Sequence, residues 1–402
     1  MTMFTPTRAA GLARLSDFLP QAGSDYARRR NHDLPGHDNV SRLSPWLRHR
    51  LLTEGEVIAA VTARHGADMA GKFLSEVGWR MYFKGWLELR PGVWDAYRSE
   101  RDAAWNRVQT ESGLRRACED ACKGETGIDA FDHWARELVE TGYLHNHARM
   151  WFASIWIFTL GLPWTLGADF FLRHLLDGDP ASNTLSWRWV GGLHSSGKTY
   201  LAEAENIARY TDGRFRPEGL AQAAPALRGP DHPRPRPCPV SDPFDPGPRS
   251  GLLLTEDDLC PDDLLRQGLA PVATATVQAS AGRSHLTVAP RVAGFAQSAI
   301  ADCTARLADR IGPATACATT AEVVAWAQSE RLSQVVMHHA PTGPAHDALP
   351  GLRDALAAAG TALCVQVRDI DALAWPVATA GYFKFRDVLP RIIGQCGTAS
   401  DR

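Results

Sequence analysis

The sequence predicts a multidomain chain of α and α/β class, with an all-helical half followed by a Rossmann-like half built on a parallel sheet. Three observations carry this reading. Tryptophan is unevenly spread, with eleven of the thirteen between Trp46 and Trp189 and only Trp326 and Trp375 beyond. The stretch Pro217 to Gly251, "PEGLAQAAPALRGPDHPRPRPCPVSDPFDPGPRSG", is Pro-rich with almost no apolar periodicity, which reads as an extended linker. Across it the apolar spacing changes from helical to alternating. The expected division is residues 1–216, a linker 217–250, a second domain 251–394 and a tail 395–402.

In the first half, "EGEVIAAVTARHG", "GKFLSEVGWRMYFKGWLEL", "AFDHWARELVETG" and "GADFFLRHLLDGD" place apolar residues at helical spacing, with Gly or Pro at several ends. The run "MWFASIWIFTLGLPW", Met150 to Trp164, is too short for a comfortable membrane span and reads as a buried helix. In the second half, the β-rich runs "TATVQAS", "SQVVMHH" and "TALCVQVRD" alternate with the helices "GFAQSAIADCTARLADRIG", "TAEVVAWAQSERL" and "LPGLRDALAAAG". That order implies βαβ units and a parallel sheet with helices on its faces.

Composition sets wide bounds. The 402 residues are 45% hydrophobic and 22% charged with a formal net charge of −2, ordinary for a soluble globular protein and without a global signal for nucleic acid or membrane. A local basic patch exists in "YARRRNHDLPGHDNVSRLSPWLRHR", Tyr26 to Arg50. No secretory signal is visible in "MTMFTPTRAAGLARL", so the expected location is cytoplasmic. Of the eight cysteines only Cys118 and Cys122 are close, a spacing that suits neighbouring core thiols on a helix, and no metal site is read.

One motif asks for a different chemistry. Gly192, Gly197, Lys198 and Thr199 in "GGLHSSGKTYLAEAEN" fit the phosphate-loop pattern GxxxxGK[ST]. A working phosphate loop follows a buried strand inside an α/β domain. Here the preceding "ASNTLSWRWVGG" is polar and indole-rich, no second acidic motif is read in the same half, and "LCVQVRD", apolar and ending at Asp369, lies across the linker. A nucleotide hydrolase therefore stands as a distant alternative, and the glycines read as a tight turn with Lys198 near a pocket rim.

Four further motifs agree in order and spacing: "SRLSP" (Ser41 to Pro45), "SEVGWRMYF" (Ser75 to Phe83), "TGYLHNHARMWFAS" (Thr141 to Ser154) and "LLDGDPASNTLSWRW" (Leu175 to Trp189). Over about residues 25–215 the chain resembles the FAD-binding domain of the photolyase/cryptochrome family. "GLLLTEDDLCPDDLL" and "TAGYFKFRDVLPRII" resemble the opening and closing segments of that family's α/β antenna domain. In the family that domain comes first; here it comes last, so the resemblance implies a circular permutation, which a long linker makes cheap in loop entropy.

The residues suit what the resemblance implies. Ser41, Arg42 and Ser44 bring hydroxyls, a guanidinium and backbone N–H groups at a helix start, a fair anion site on chemistry alone. The resemblance carries over Tyr26, Ser41, Arg42, Leu43 and Ser44 as contacts on the phosphate side of FAD. It assigns Asp177 and Asp179 as hydrogen-bond acceptors for the ribose or the ring, Asn183 as the amide facing flavin N5, and Arg80, Asn146 and Arg149 as flavin-side residues. Trp187 and Trp164 match two links of the family's electron-transfer chain; the outer position falls near Glu111, and Trp105 is the substitute.

For the repair enzymes of the family, a flipped pyrimidine dimer needs aromatic faces and an acid to stabilise the radical anion. Glu76 and Trp79 match those positions and, with Asn183, are the expected catalytic residues, while Asn146, Met150 and Trp189 line the substrate pocket. Against repair stand His147, at a position usually held by a DNA-contacting Arg, and a balance of 27 acidic and 27 basic residues through residue 220. A DNA face would need the cluster of Ala27–Arg30 with Arg42, Arg48 and Arg50. The expected function is thus an FAD-dependent blue-light flavoprotein, with light-driven repair of pyrimidine dimers in DNA first and a cryptochrome-like signalling role with a protein partner second. A second, antenna chromophore is left open; the folate-supporting lysine of some relatives has no counterpart near "PGVWDAYRSE".

Overall fold

The structure is a computed structural model that describes residues 4–399. Twelve α-helices precede the first strand: α1 Arg8–Phe18, α2 Ser24–Arg29, α3 Ser44–Arg48, α4 Glu54–Met69, α5 Gly71–Glu88, α6 Gly92–Thr110, α7 Ser112–Lys123, α8 Asp129–Thr141, α9 Asn146–Ser154, α10 Trp164–His174, α11 Pro180–Val190 and α12 Ala204–Tyr210. Their ends follow from local chemistry. At the start of α4, the Thr53 hydroxyl accepts from Glu56 N–H and the Glu56 carboxylate accepts from Thr53 N–H, a reciprocal cap. Near its end, Gly66 takes φ +73°, a left-handed value that breaks the helix where the sequence pattern stops. Asp179 caps α11 by accepting from Ser182 N–H at 2.9 Å, and Pro180 occupies the first helical position.

The run Met150–Trp164 is not one helix. After α9, Ile155–Thr159 form a wider π-type turn, the chain leaves helical geometry, and α10 begins at Trp164. Gly161 with φ +66° and Pro163 at the cap of α10 interrupt the helix that the apolar pattern alone suggests.

The second half is β1 Ser250–Thr255, α13 Asp262–Arg266, β2 Ala273–Val277, α14 Pro290–Arg306, α15 Ala308–Ile311, β3 Ala314–Cys317, α16 Thr320–Ser329, β4 Gln334–His338, α17 Pro344–Ala358, β5 Ala362–Gln366, α18 Asp369–Ala374, α19 Tyr382–Arg386 and α20 Leu389–Ala399. All five strands are parallel in the order β3-β2-β1-β4-β5. The inner strands β1, β2 and β4 are buried on both faces along nearly their whole length, as a parallel sheet between helices requires, whereas the edge strand β3 is exposed over Ala314–Ala316. Along β1, Leu252 and Leu254 join the core shared with the helical half, whereas Leu253 faces a second core with Val335, Met337 and Trp326. Helix α20 runs to Ala399, into the segment read from sequence as a tail; residues 400–402 lie outside the described ones.

The Pro-rich stretch before β1 has no regular structure and much of it is exposed, but it is anchored. Leu227 N–H donates to the Gly191 carbonyl at 2.9 Å and Arg236 N–H to the Leu89 carbonyl at 2.8 Å. Asp242 N–H donates to the Val365 carbonyl at 2.9 Å, covering the outer edge of β5. These backbone bonds tie the stretch to both halves. Among the described residues no helix is long and apolar enough to cross a membrane.

In a doubly wound sheet of this order, the crevice between the C-terminal ends of β1 and β4 is the usual ligand position. Here the helical half reaches toward the end of β1. Arg48 pairs with Asp257, His49 Nδ1 meets the Glu256 carbonyl at 2.7 Å, and Arg50 donates to Asp258 at 3.1 Å and Asp371 at 2.6 Å. Arg368 holds Asp258 through two bonds, at 2.5 and 2.6 Å. Arg48 and Arg50 are buried, so they belong to the joint between the halves and not to a DNA-facing patch, a correction to the sequence reading. A guanidinium removed from water needs such carboxylate partners.

Candidate functional site

The helical half encloses a cavity of about 660 Å³. Its lining includes Tyr26, Ser41, Arg42, Leu43, Ser44, Glu76, Trp79, Arg80, Asn146, Arg149, Met150, Asp177, Asp179, Asn183, Trp187 and Trp189. The structure thereby gathers every expected cofactor and substrate residue around one space. Trp164 and Trp105 are not part of the lining.

Beside Tyr143 to Ala153, which carries Asn146, Arg149 and Met150, three segments build the walls. The first, Val40 to Ser44, leads into α3 and is held from behind by Arg14, which donates to the Ser41 carbonyl at 2.8 Å and the Val40 carbonyl at 2.7 Å. Arg42 takes φ +55°, and its guanidinium donates to the Gly36 carbonyl at 2.8 Å and to Asp38 at 2.7 Å. The second is α5, where Glu76, Trp79 and Arg80 share a face by their three- and four-residue spacing. The third runs from the end of α10 through α11, supplying Asp177, Asp179, Asn183 and Trp187.

A buried charge cluster lies along the α5 wall. Arg80 donates to Glu54 at 3.1 Å and to the Leu47 carbonyl at 3.1 Å. Burial opposes the charge on Glu54, yet Arg50, Lys84 and Arg80 outweigh it and lower its pKa to about 2. Asp179 is likewise held well below the usual carboxylate range: burial works against it, and Lys84, Arg80, Arg48 and the Ser182 N–H prevail. Lys84 is lowered to about 8, first by burial and then by Arg50 and Arg80, with Glu54 and Asp179 resisting. Lys84 and Glu54 escaped the sequence reading. Lys84 stands four residues beyond Arg80 on α5, a helical spacing that could have revealed it.

At the opposite wall, Arg149 donates to Asp177 Oδ2 at 2.9 Å and to the Leu144 carbonyl at 3.0 Å. Asp177 Oδ1 is buried without a hydrogen-bond partner, an acceptor that costs free energy unless something donates to it. Asn183 Nδ2 donates to the Ala168 carbonyl at 2.8 Å.

Toward the rim, Glu76 is paired with Arg30, and burial raises its pKa, with Arg30 and Lys72 opposing. Trp79 is stacked by Tyr382 of α19, ring centroids 3.6 Å apart, a partner that lies 303 residues further along the chain and that no local pattern shows. His147 contacts the Asn31 carbonyl at 2.9 Å and the Tyr200 hydroxyl at 3.2 Å and stacks on Trp151. Burial first, and then Arg30 and His32, lower its pKa against the Asn31 contact, which keeps it neutral rather than a substitute cation.

The indoles of the expected chain make separate ring contacts. Trp187 is buried, and its ring meets Trp156 edge-on at 6.2 Å and Phe171 at 5.1 Å. Gly167 makes that approach possible, since a Cβ there would stand 2.3 Å from Trp187 and 2.9 Å from Trp156. Trp164 instead meets Tyr97 at 5.7 Å, and Trp105 meets His285 at 5.9 Å. Among the described residues, the tryptophan in ring contact with Trp187 is Trp156, which the sequence reading missed because it stood inside an apolar run.

The phosphate-loop match does not have phosphate-loop surroundings. Helix α11, not a strand, precedes it, and the following helix α12 starts only at Ala204. Lys198 is exposed and is not among the residues that line the cavity.

Residues 73–212 match the family described as the FAD binding domain of DNA photolyase. Among curated relatives, the deoxyribodipyrimidine photo-lyase of Vibrio cholerae is 28% identical over 224 residues, 54% of this chain and 46% of that protein. That of Salmonella typhimurium is 30% identical over 239 residues, 56% and 48% respectively, and that of Streptomyces griseus 34% over 185 residues, 46% and 38%. The chain thus spans less than half the length of these relatives. A crystal structure of a bacterial class III photolyase from Agrobacterium tumefaciens is 27% identical with a TM-score of 0.44, covering 52% of this chain and 43% of that one.

The residues present fit FAD. Ser41, Arg42 and Ser44 line one wall of the cavity, residue types suited to a diphosphate, and Arg80 and Arg149 line it elsewhere, each paired with a carboxylate. The unpartnered Asp177 Oδ1 is a buried acceptor suited to a ribose hydroxyl or a ring N–H.

Proposed function

We propose, on the premise that residues 73–212 form an FAD-binding domain of the DNA photolyase family, that this chain is a blue-light flavoprotein that repairs pyrimidine dimers in DNA. Bound in the cavity, FAD supplies the light-absorbing electron donor and acceptor. The observation that carries the repair reading is the joint placement of Glu76 and Trp79 on one face of α5 at the cavity, with Asn183 on the α11 wall.

Trp79 offers an indole edge and Met150 and Trp189 further apolar surface to a flipped base, whose stacking replaces what it loses in the duplex. Glu76, raised by burial, keeps its proton to a higher pH than an exposed carboxyl, and in its protonated form it would donate a hydrogen bond to a substrate carbonyl gaining negative charge. Arg30, its present partner, is positioned to turn to a DNA phosphate. Asp177, Arg149, Arg80 and the Val40–Ser44 segment hold the cofactor. Trp187 with Trp156 forms the start of an indole path away from it, in place of the Trp164 and Trp105 steps.

A second reading, light signalling without repair, is favoured by the charge pattern around the rim. Arg28 pairs with Asp25, Arg30 with Glu76 and Arg42 with Asp38, so three guanidiniums of this stretch are already matched by carboxylates. Illumination of the reduced protein with a dimer-containing oligonucleotide decides between them. Restored bases, with Glu76→Ala weakening repair without loss of FAD, support the first reading. Absence of repair by a protein that holds FAD and responds to light leaves the second.

The division at 216 and 250, and the order of the halves as a circular permutation of the family arrangement, belong to the same proposal. Limited proteolysis should cut first within 228–240, where the chain is mostly exposed; an earlier cut inside either half would count against it. An antenna chromophore, where one is bound, would need a place other than the end of β1, where Arg48, His49 and Arg50 pack.

A further inference from the structure

Away from the cavity, the seam between the halves gathers a second set of reactive side chains. Glu88 ends α5, His339 follows β4, and His346 lies in the first turn of α17; one ligand atom from each falls within 4.8 Å of the others. Glu88 and His339 are buried and His346 is half-buried. His339 Nε2 stands 3.3 Å from Glu88 Oε2, yet it is a buried nitrogen without a hydrogen-bond partner. Two ligands of one tetrahedral ion, each at about 2.1 Å, stand about 3.4 Å apart, so this spacing is that of atoms converging on a common centre.

The supporting contacts suit ligation. Thr342 donates to the carboxylate of Glu88 through its N–H at 3.1 Å and its hydroxyl at 3.3 Å, and Arg236 donates to Oε1 at 3.2 Å. These bonds orient the carboxylate with Oε2 toward His339. The Nδ1 of His346 lies 3.1 Å from the Ala340 carbonyl, which makes Nδ1 the protonated nitrogen and leaves a lone pair on Nε2.

We propose that Glu88, His339 and His346 bind a divalent transition-metal ion of the zinc class, with the fourth position open to water. Two imidazoles with one carboxylate select such an ion over magnesium or calcium, which take oxygen ligands. The ion ties the end of α5, the helix that carries Glu76, Trp79 and Arg80, to the C-terminal end of β4.

The test uses the full chain, stripped with chelator and titrated with zinc chloride. One zinc per chain is expected, bound more tightly than about 1 μM, with a rise in melting temperature. His339→Ala and His346→Ala are each expected to weaken zinc binding at least about tenfold while leaving flavin absorbance unchanged. Should the buried His339→Ala fail to fold, the half-buried His346→Ala carries the test, its metal-free melting temperature showing that the fold is kept. Failure to take up stoichiometric zinc, or uptake that His346→Ala retains at the parent affinity, overturns the proposal. Zinc uptake by a chain that holds no FAD would support it and overturn only the flavin reading.

Discussion

Tyr382 lies flat on Trp79, with ring centroids 3.6 Å apart and planes within 12°. Its hydroxyl donates to the Ser75 carbonyl at 2.6 Å, which fixes the ring against α5. A segment at the far end of the chain therefore sets the orientation of a cavity indole. Such a stack is worth about 0.5–1.5 kcal/mol. Tyr382→Ala is expected to raise the Kd for a dimer-containing oligonucleotide by up to about tenfold, whereas Tyr382→Phe keeps most of the affinity. Equal binding by Tyr382→Ala and the parent in a fluorescence titration would show that the stack does not position Trp79.

Arg42 and Lys198 separate the two phosphate readings. Arg42 borders the cavity, and Lys198 is exposed away from it. Arg42→Ala should lower the ratio of flavin to protein absorbance after purification, and Lys198→Ala should leave it at the parent value. The reverse outcome would restore the phosphate loop as a binding site.

The indole path makes a prediction that differs from the sequence expectation. Trp156 meets Trp187 at 6.2 Å, and Trp164 meets Tyr97. Light-driven loss of oxidised-flavin absorbance in the presence of an external reductant should slow severalfold more in Trp156→Phe than in Trp164→Phe. A slower response in Trp164→Phe would return the path to Trp164.

Acid stability should report the buried cluster. Glu54 is lowered from 4.5 to about 2, so its contribution to folding is complete above pH 4.5 and is lost as the pH falls toward about 2. The shift corresponds to about 3 kcal/mol. Glu54→Gln should cost about that much at neutral pH and flatten the fall of melting temperature between pH 4.5 and 2. Parallel curves for variant and parent across this window would show that Glu54 is not the titrating group.

Much of this molecule is legible locally. The spacing in "SEVGWRMYF" places Glu76, Trp79 and Arg80 on one helix face, and "DGDPASN" carries both the cap of α11 and its acids. Fixed spacing suffices there because helical neighbours are set by residue number alone. The basic stretch ending "WLRHR" was misread because a charge run looks the same whether solvated or buried. Its acidic partners Asp258 and Asp371 lie 208 and 321 residues from Arg50. Trp156 was missed for the related reason that an apolar run does not reveal which of its rings meets which.

The sequence by itself determined the helical half and the parallel α/β half through periodicity, and the resemblance of its motifs to the photolyase/cryptochrome family singled out the residues that line the cavity. Only the tertiary structure decided that Arg48 and Arg50 join the halves, that Tyr382 covers Trp79 and that Glu88 meets His339 and His346. Those contacts link segments far apart in the chain, and their energy comes from burial and pairing once both halves are packed, so no local pattern records them.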